Sequence, residues 1–149
     1  MNSEANAFAG WVGATETSED EMGLSPALRA AATVDDPEPG LALGSPLPPV
    51  WQWFYFLPRA PQSKLGADGH PQKGGFMPPI DLPRRMFAGA RMRFHRPLKI
   101  GMAATRHATI REISEKSGRS GRLAFVTVAY EFRQDGQICI EEVQDIVYR

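Results

Sequence analysis

A single cysteine, Cys139, stands among the 149 residues, so no internal disulfide can form. This fits a reducing, cytoplasmic setting better than a disulfide-stapled secreted scaffold. Flanked by Ile138 and Ile140, Cys139 suits buried packing rather than nucleophilic chemistry. Only three histidines occur, and none has a Cys or carboxylate at ligand spacing, which argues against a metal site. No apolar run approaches the roughly 18 residues that a membrane span needs. No basic start followed by an apolar run marks a secretory signal. Net charge is absent as well, with 17 Lys and Arg against 17 Asp and Glu.

What is present suffices for a globular core: 42% of residues are hydrophobic and three are Trp. The length fits one domain. Residues 1–7 read as a flexible polar tail and 8–149 as a single domain. The balanced charge is unevenly spread. Residues 1–50 carry eight acidic side chains and only Arg29 as a base, whereas residues 84–133 carry twelve basic against three acidic. Such a patch suits a phosphorylated ligand or an acidic partner, unless the two halves neutralise each other in the fold. Nucleic acid is disfavoured, because stacking aromatics are not interleaved with the basic residues on a recognisable module.

Phe8–Thr17 reads as a short strand weakened by Gly10 and Gly13. Ser25-Pro26 suits an N-cap and first helical position, and Asp35-Asp36-Pro37 should stop that short, Ala-rich helix. Residues 37–50 read as a linker-like loop. Pro48-Pro49 then opens the aromatic block WQWFYFL at 51–57, where a helical turn is favoured but periodicity alone leaves a buried strand open. From Arg59 to Pro83 no pattern repeats, and nine of the thirteen prolines lie between 46 and 83. Phe76, Met77 and Ile80 argue that this is an ordered loop packed on the domain surface.

From Arg84 a strand is clear. Met86, Ala88, Ala90, Met92 and Phe94 fall on one side, and Arg85, Phe87, Gly89, Arg91, Arg93 and His95 on the other. The small residues at 88–90 should admit a helix or backbone closely. Thr105–Lys116 is a second strand. Its Ile110 and Ile113 differ in parity, which calls for a bulge or an early end. Leu123–Phe132 and Ile138–Tyr148 follow, joined by the tight-turn dipeptide Asp135-Gly136. Four strands in antiparallel succession with one helix make an α+β pattern.

The blocks WQWFYFLP, LGADGHPQKGGFMPP, LPRRMFAG and EEVQDIVYR resemble the MaoC-like dehydratases of the type 2 hydroxyacyl-thioester dehydratase and mesaconyl-CoA hydratase kind. The likeness is to the N-terminal half of those proteins and covers residues 8–149. It implies a hot-dog fold, an antiparallel sheet wrapped around a helix, to which Ala88, Gly89 and Ala90 would be fitted. It also implies a pair of such units holding an acyl thioester of CoA or acyl carrier protein between them, with no cofactor. The resemblance fails at one place. The family's catalytic Asp and His lie in a D-x-N-P-x-H motif, and here the corresponding piece, Asp35-Asp36-Pro37-Glu38, has neither the Asn nor the His. The resemblance therefore implies a subunit that shapes the substrate site while a MaoC-type partner supplies the chemistry. A homodimer, a self-sufficient hydratase and a non-catalytic acyl-CoA-binding module remain alternatives.

Hydration of an enoyl thioester needs a base for water, an acid for the α-carbon and a donor to the carbonyl oxygen. His70, with Asp68 two residues earlier, is the candidate acid–base pair. The plainer role for both is fixing their loop. Arg84, Arg85, Arg91, Arg93 and, in the SGRSG turn, Arg119 are candidates for the phosphates of CoA. Trp51 is a candidate substrate contact within an aromatic block that otherwise reads as core. Glu141, Glu142 and Asp145 should answer the basic strand across the sheet.

Overall fold

The computed structural model describes residues 7–149, so the expected tail lies outside the described residues except for Ala7. Five strands form one antiparallel sheet: β1 (Thr15–Asp20), β2 (Arg85–Phe94), β3 (Ala104–Gly118), β4 (Gly121–Gln134) and β5 (Gln137–Tyr148). Among the described residues one α-helix, α1 (Leu24–Thr33), follows β1. The strand order is β1-β3-β4-β5-β2.

The tightest part is the β3-β4-β5 meander. Its second turn uses Asp135 and Gly136 at φ values of 50° and 69°, the left-handed pair that matches the twist of flanking strands. The bulge expected in β3 falls between Ile110 and Glu112, and it lets both isoleucines reach the core. Two expectations need correcting. The first strand is the acidic run Thr15–Asp20, while Ala9–Trp11 makes a 3-10 turn. And β2 does not pair with β3, which follows it in sequence. Residues 95–103 cross the end of the sheet, burying Leu98 and Ile100, and leave β2 on the far edge beside β5.

Helix α1 starts two residues earlier than expected, with Gly23 at the cap and no side-chain cap. Ser25 and Pro26 sit in the first turn, where a missing N–H costs nothing. The helix stops before Asp35, which turns at φ 60°. Its Ala27, Ala30 and Ala31 are buried, and Ala27 joins a core of Leu98, Ile100, Phe132 and Ile140 at one end of the sheet.

The rest of the concave face is covered by the long loop. Ile80 is buried against Ile110, Val126, Val128 and Tyr148, with Phe76, Met77 and Leu82 around it. Lys73 locks this cover, donating from Nζ to the carbonyls of Ile80 and Leu82 at 2.7 Å each. The loop is thus built into the core rather than merely resting on the surface.

A second bulge lies in β2. Phe87 pairs with Ile146 and Gly89 with Asp145, so Ala88 is an extra residue. The straight alternation expected for β2 is therefore wrong. Arg85 points to the concave face with Phe87, Ala90 and Met92, whereas Arg91 and Arg93 point to the convex face. Nor does Gly89 admit a close neighbour as expected, since a Cβ placed on it would meet nothing within 4 Å. Among the described residues, no helix is long and apolar enough to cross a membrane.

Candidate active site

The aromatic block builds a roof over the concave face. After Pro48 and Pro49, Val50 turns at φ 75° and Trp51–Phe54 make one 3-10 turn. The chain leaves through Tyr55 and Phe56. The Tyr55 hydroxyl donates to the Gly23 carbonyl at 2.6 Å. The Asp20 carboxylate, at the end of β1, accepts from the backbone N–H of Phe56 at 3.0 Å and of Met22 at 2.7 Å. Phe56 is thereby set edge-on to Phe132, with ring centroids 5.4 Å apart.

Beneath Phe56 lies Arg106, on the inward side of β3 opposite Phe132 and Ser18. Its guanidinium is 5.4 Å from the ring centres of both Phe56 and Tyr130. Three cavities meet at Phe56, Pro58 and Arg106. The one under the loop, about 330 Å³, is lined by Glu16, His70, Lys73, Phe76, Arg85 and Tyr130 among others. The one toward β5, about 220 Å³, reaches Gln52, Trp53, Glu142 and Gln144. The one toward β1, about 530 Å³, is edged by Glu16, Glu19 and Asp20. The arrangement offers apolar walls, two inward guanidiniums (Arg106 and, on the loop side, Arg85) and a phenol. Burial pushes the Tyr130 phenol above its ordinary pKa, against the opposing pull of Arg106, so the hydroxyl stays a donor at neutral pH.

Glu142 is buried and does not answer the basic strand as expected. It accepts hydrogen bonds from Trp53 Nε1 at 2.8 Å, Gln52 Nε2 at 3.2 Å and Gln144 Nε2 at 2.6 Å. This ties the 3-10 turn to the sheet. Its neighbours do behave as expected on the convex face: Asp145 pairs with Arg91 at 3.2 Å, and Glu141 meets His95 at 2.7 Å across from Arg93.

The Glu141 carboxyl is held below its ordinary pKa chiefly by the His95 hydrogen bond, which outweighs desolvation, with the charges of His95, Arg93 and Arg111 adding to it. A depressed carboxyl pKa adds stability that is present above the unfolded value and fades as pH falls through the folded one. His95→Ala should therefore move the Glu141 titration upward in an NMR pH series and weaken this acid-side contribution.

The sequence candidates scatter. His70 and Asp68 form a local turn. Asp68 Oδ1 accepts from the His70 N–H at 3.1 Å, its other oxygen is 3.3 Å from His70 Nδ1, and Gly69 between them sits at φ 79°. Asp68 is pushed below the usual carboxylate range, chiefly by that backbone donor. His70 nevertheless lines the loop-side cavity together with Arg85, the one pairing of sequence candidates that the fold produces there. Arg84 is exposed, and its backbone exchanges two 2.9 Å hydrogen bonds with Arg149. Arg119 is exposed at the tip of the β3–β4 hairpin. Trp51 packs edge-on against Phe54, at 5.8 Å, beside the helix end of the core.

Sequence reasoning missed Arg106, Tyr130 and Gln144, and assigned Glu142 to the basic strand instead of the roof. The signal was there. Arg106 shares parity with the core residues Ala108 and Ile110, and Glu142 and Gln144 lie between Ile140 and Ile146 at the same parity. A charged residue on the apolar side of a strand needs an explanation. Among the described residues, no group of three His, Cys, Asp or Glu side chains is placed to hold a metal ion.

Residues 50–149 match the family described as hydroxyacyl-thioester dehydratase type 2. The chain is 63% identical over 139 residues to the mesaconyl-C(4)-CoA hydratase of Chloroflexus aurantiacus, which covers 93% of this chain and 50% of that protein. It thus spans about half the length of the curated relative it matches. Among solved structures, the HadBC (3R-hydroxyacyl-ACP dehydratase) complex of Mycobacterium tuberculosis is similar with a TM-score of 0.55 at 13% identity, over 91% of this chain and 96% of that one. The (R)-hydratase from A. caviae follows with 0.51 at 13% identity, over 92% and 95%. At such identity these two likenesses speak for the hot-dog fold alone, which the five-stranded sheet and its one helix share. The match over 100 of the 149 residues goes further: the chain belongs to the hydroxyacyl-thioester dehydratase type 2 family.

Proposed function

We propose that this chain is the substrate-shaping hot-dog unit of an enoyl-thioester hydratase or dehydratase acting on a CoA or acyl-carrier-protein thioester. Its concave face receives the acyl group, and a second, MaoC-type unit supplies the catalytic Asp and His. The observation that carries this reading is the segment after α1. Asp35, Asp36, Pro37 and Glu38 are all exposed there, and Asp36 Oδ1 is turned back onto the Glu38 N–H at 3.3 Å. No acid–base pair faces the cavities from the place where the family carries one. The half-length match to the relative agrees with a site divided between two units.

In hydration, the base of the second unit takes a proton from water, whose oxygen bonds to the β-carbon. The C=C pair moves to the α-carbon, through an enolate on the thioester oxygen, and takes a proton from the acid. This chain's part is to hold the acyl group in a water-poor cleft of fixed shape.

Assay of crotonyl-CoA and longer enoyl-CoA thioesters with the purified chain should give only background hydration. Adding a MaoC-type hot-dog unit that carries the Asp/His motif should raise the rate at least tenfold. Full turnover by the chain alone would overturn the proposal. A second reading, a self-sufficient hydratase, has one observation behind it: His70 lines the cavity with Asp68 at its Nδ1. His70→Ala separates the two. Turnover of the two-unit enzyme should stay within about threefold, whereas the second reading demands its loss.

A further inference from the structure

The floor of the loop-side cavity runs on past its wall. Ala108 and Tyr130 line that cavity and also pack with the core cluster of Ile110, Val126, Val128 and Tyr148. Along the sheet, the cross-strand pair Ala108–Tyr130 is followed by Ile110–Val128 and then by Ile113–Val126. The concave face is one apolar strip here, and its first step, from Ala108 to Ile110, is about 7 Å. What ends the cavity is the segment 73–82. Its Lys73, Phe76 and Met77 line the cavity as a wall, and its Ile80, 1% exposed, fills the strip behind them.

No strand or helix holds this segment in place. Pro78 and Pro79 bring no backbone N–H to it. Its backbone makes two local turns, from the Gly74 N–H to the Met77 carbonyl at 2.9 Å and from the Ile80 N–H to the Pro78 carbonyl at 2.8 Å. The longer tie is Lys73, which reaches seven and nine residues ahead to the carbonyls of Ile80 and Leu82 at 2.7 Å each. Its ammonium also stands 5.4 Å from the centre of the Tyr148 ring. None of the ion pairs among the described residues includes it, so its charge serves these two carbonyls and the ring.

We propose that Ile80 is a plug seated where a longer acyl chain would run, and that Lys73 is the latch that keeps it seated. Together they set the acyl-length limit of the site. This rests on the acyl-thioester reading above and deepens it. Lys73 acts through Ile80 and is a positioning residue. With the latch removed, Ile80 stays in place by apolar packing alone. An acyl tail that buries similar apolar surface on the same strip then competes with it on equal terms.

The test measures kcat/KM of the two-unit enzyme for straight-chain enoyl-CoA thioesters of four to ten carbons. In the wild type, kcat/KM should fall at least tenfold from the shortest to the longest. Lys73→Met keeps the length of the side chain without its donors, and should raise the ratio of longest to shortest at least fivefold. Lys73→Arg keeps the charge and the donors, and should leave that ratio within about twofold of the wild type. Ile80→Ala removes the plug under an intact latch and should raise the ratio as Lys73→Met does. A general loss of structure lowers both substrates alike and leaves the ratio where it was. The two variants report separately, so a folding defect in one leaves the other to decide. A flat length profile in the wild type, or a ratio that neither Lys73→Met nor Ile80→Ala moves, would overturn the plug and leave the acyl-thioester reading standing. Turnover of none of these thioesters by the two-unit enzyme would overturn both.

Discussion

Glu142→Ala is expected to lower stability by roughly 3 kcal/mol, because each buried donor left without an acceptor costs about 1–3 kcal/mol. For a chain of this size that corresponds to a drop in Tm of about 9 °C. Three N–H groups lose their acceptor together: Trp53 Nε1, Gln52 Nε2 and Gln144 Nε2. Gln52 is itself buried, and its own side-chain oxygen has no hydrogen-bond partner, so it has no second anchor except a 3.4 Å contact from Nε2 to Met92 Sδ. Glu142→Gln keeps the shape and one acceptor and should cost only about 1 kcal/mol. Thermal melts followed by far-UV circular dichroism would read the difference. Trp53 fluorescence should shift with the loss of its indole partner. An alanine variant as stable as the wild type would mean that water replaces the carboxylate freely and that the turn is not anchored through it.

Asp20→Ala is the second large effect, about 2–3 kcal/mol from the two backbone donors it leaves unpaired. Both donors belong to residues in the left-handed region, Met22 at φ 55° and Phe56 at φ 57°. Side chains with a Cβ pay of order 1 kcal/mol to sit there, and persist only when surrounding bonds hold them. Asp20 supplies those bonds at 2.7 Å and 3.0 Å. Without them the chain leaving the aromatic turn loses its fix on β1, and the Phe56 ring loses its place over Arg106. Chemical denaturation should show the lower midpoint. Asp20→Asn, with one carbonyl oxygen remaining, should lose about half as much. An unchanged midpoint in Asp20→Ala would show that Phe56 is held by packing alone.

The meander was legible because each of its signals is local. Asp135-Gly136 dictates a tight turn, and the run LAFVTVAYEF prefers a strand in almost any setting. The bulge in β3 could be read as one of two outcomes, since isoleucines of opposite parity call for a bulge or an early end, and the strand runs on to Gly118. The bulge in β2 could not. Small residues at 88–90 fit both a straight strand under a neighbour and a kinked one, and only pairing with β5, more than fifty residues later, decides between them. The same lack of long-range information hid the placement of β2 at the far edge. As for the site, His70 and Arg85 were named and do share a cavity. Arg106 and Glu142 were passed over because their meaning depends on what covers them: a roof built from residues 51–58, whose path is set by Asp20 and Val50 rather than by any periodic pattern.

Ala88 has a consequence for how this strand can tolerate change in length. Its neighbours Phe87 and Gly89 already sit opposite Ile146 and Asp145, two successive positions of β5. Removing Ala88 would bring those two pairs side by side in an unbroken ladder. Arg85 would still face the cavity and Arg91 the opposite side, and only the local kink and extra twist would go. The strand can therefore shorten by one residue at this point and keep every other side chain on its own face.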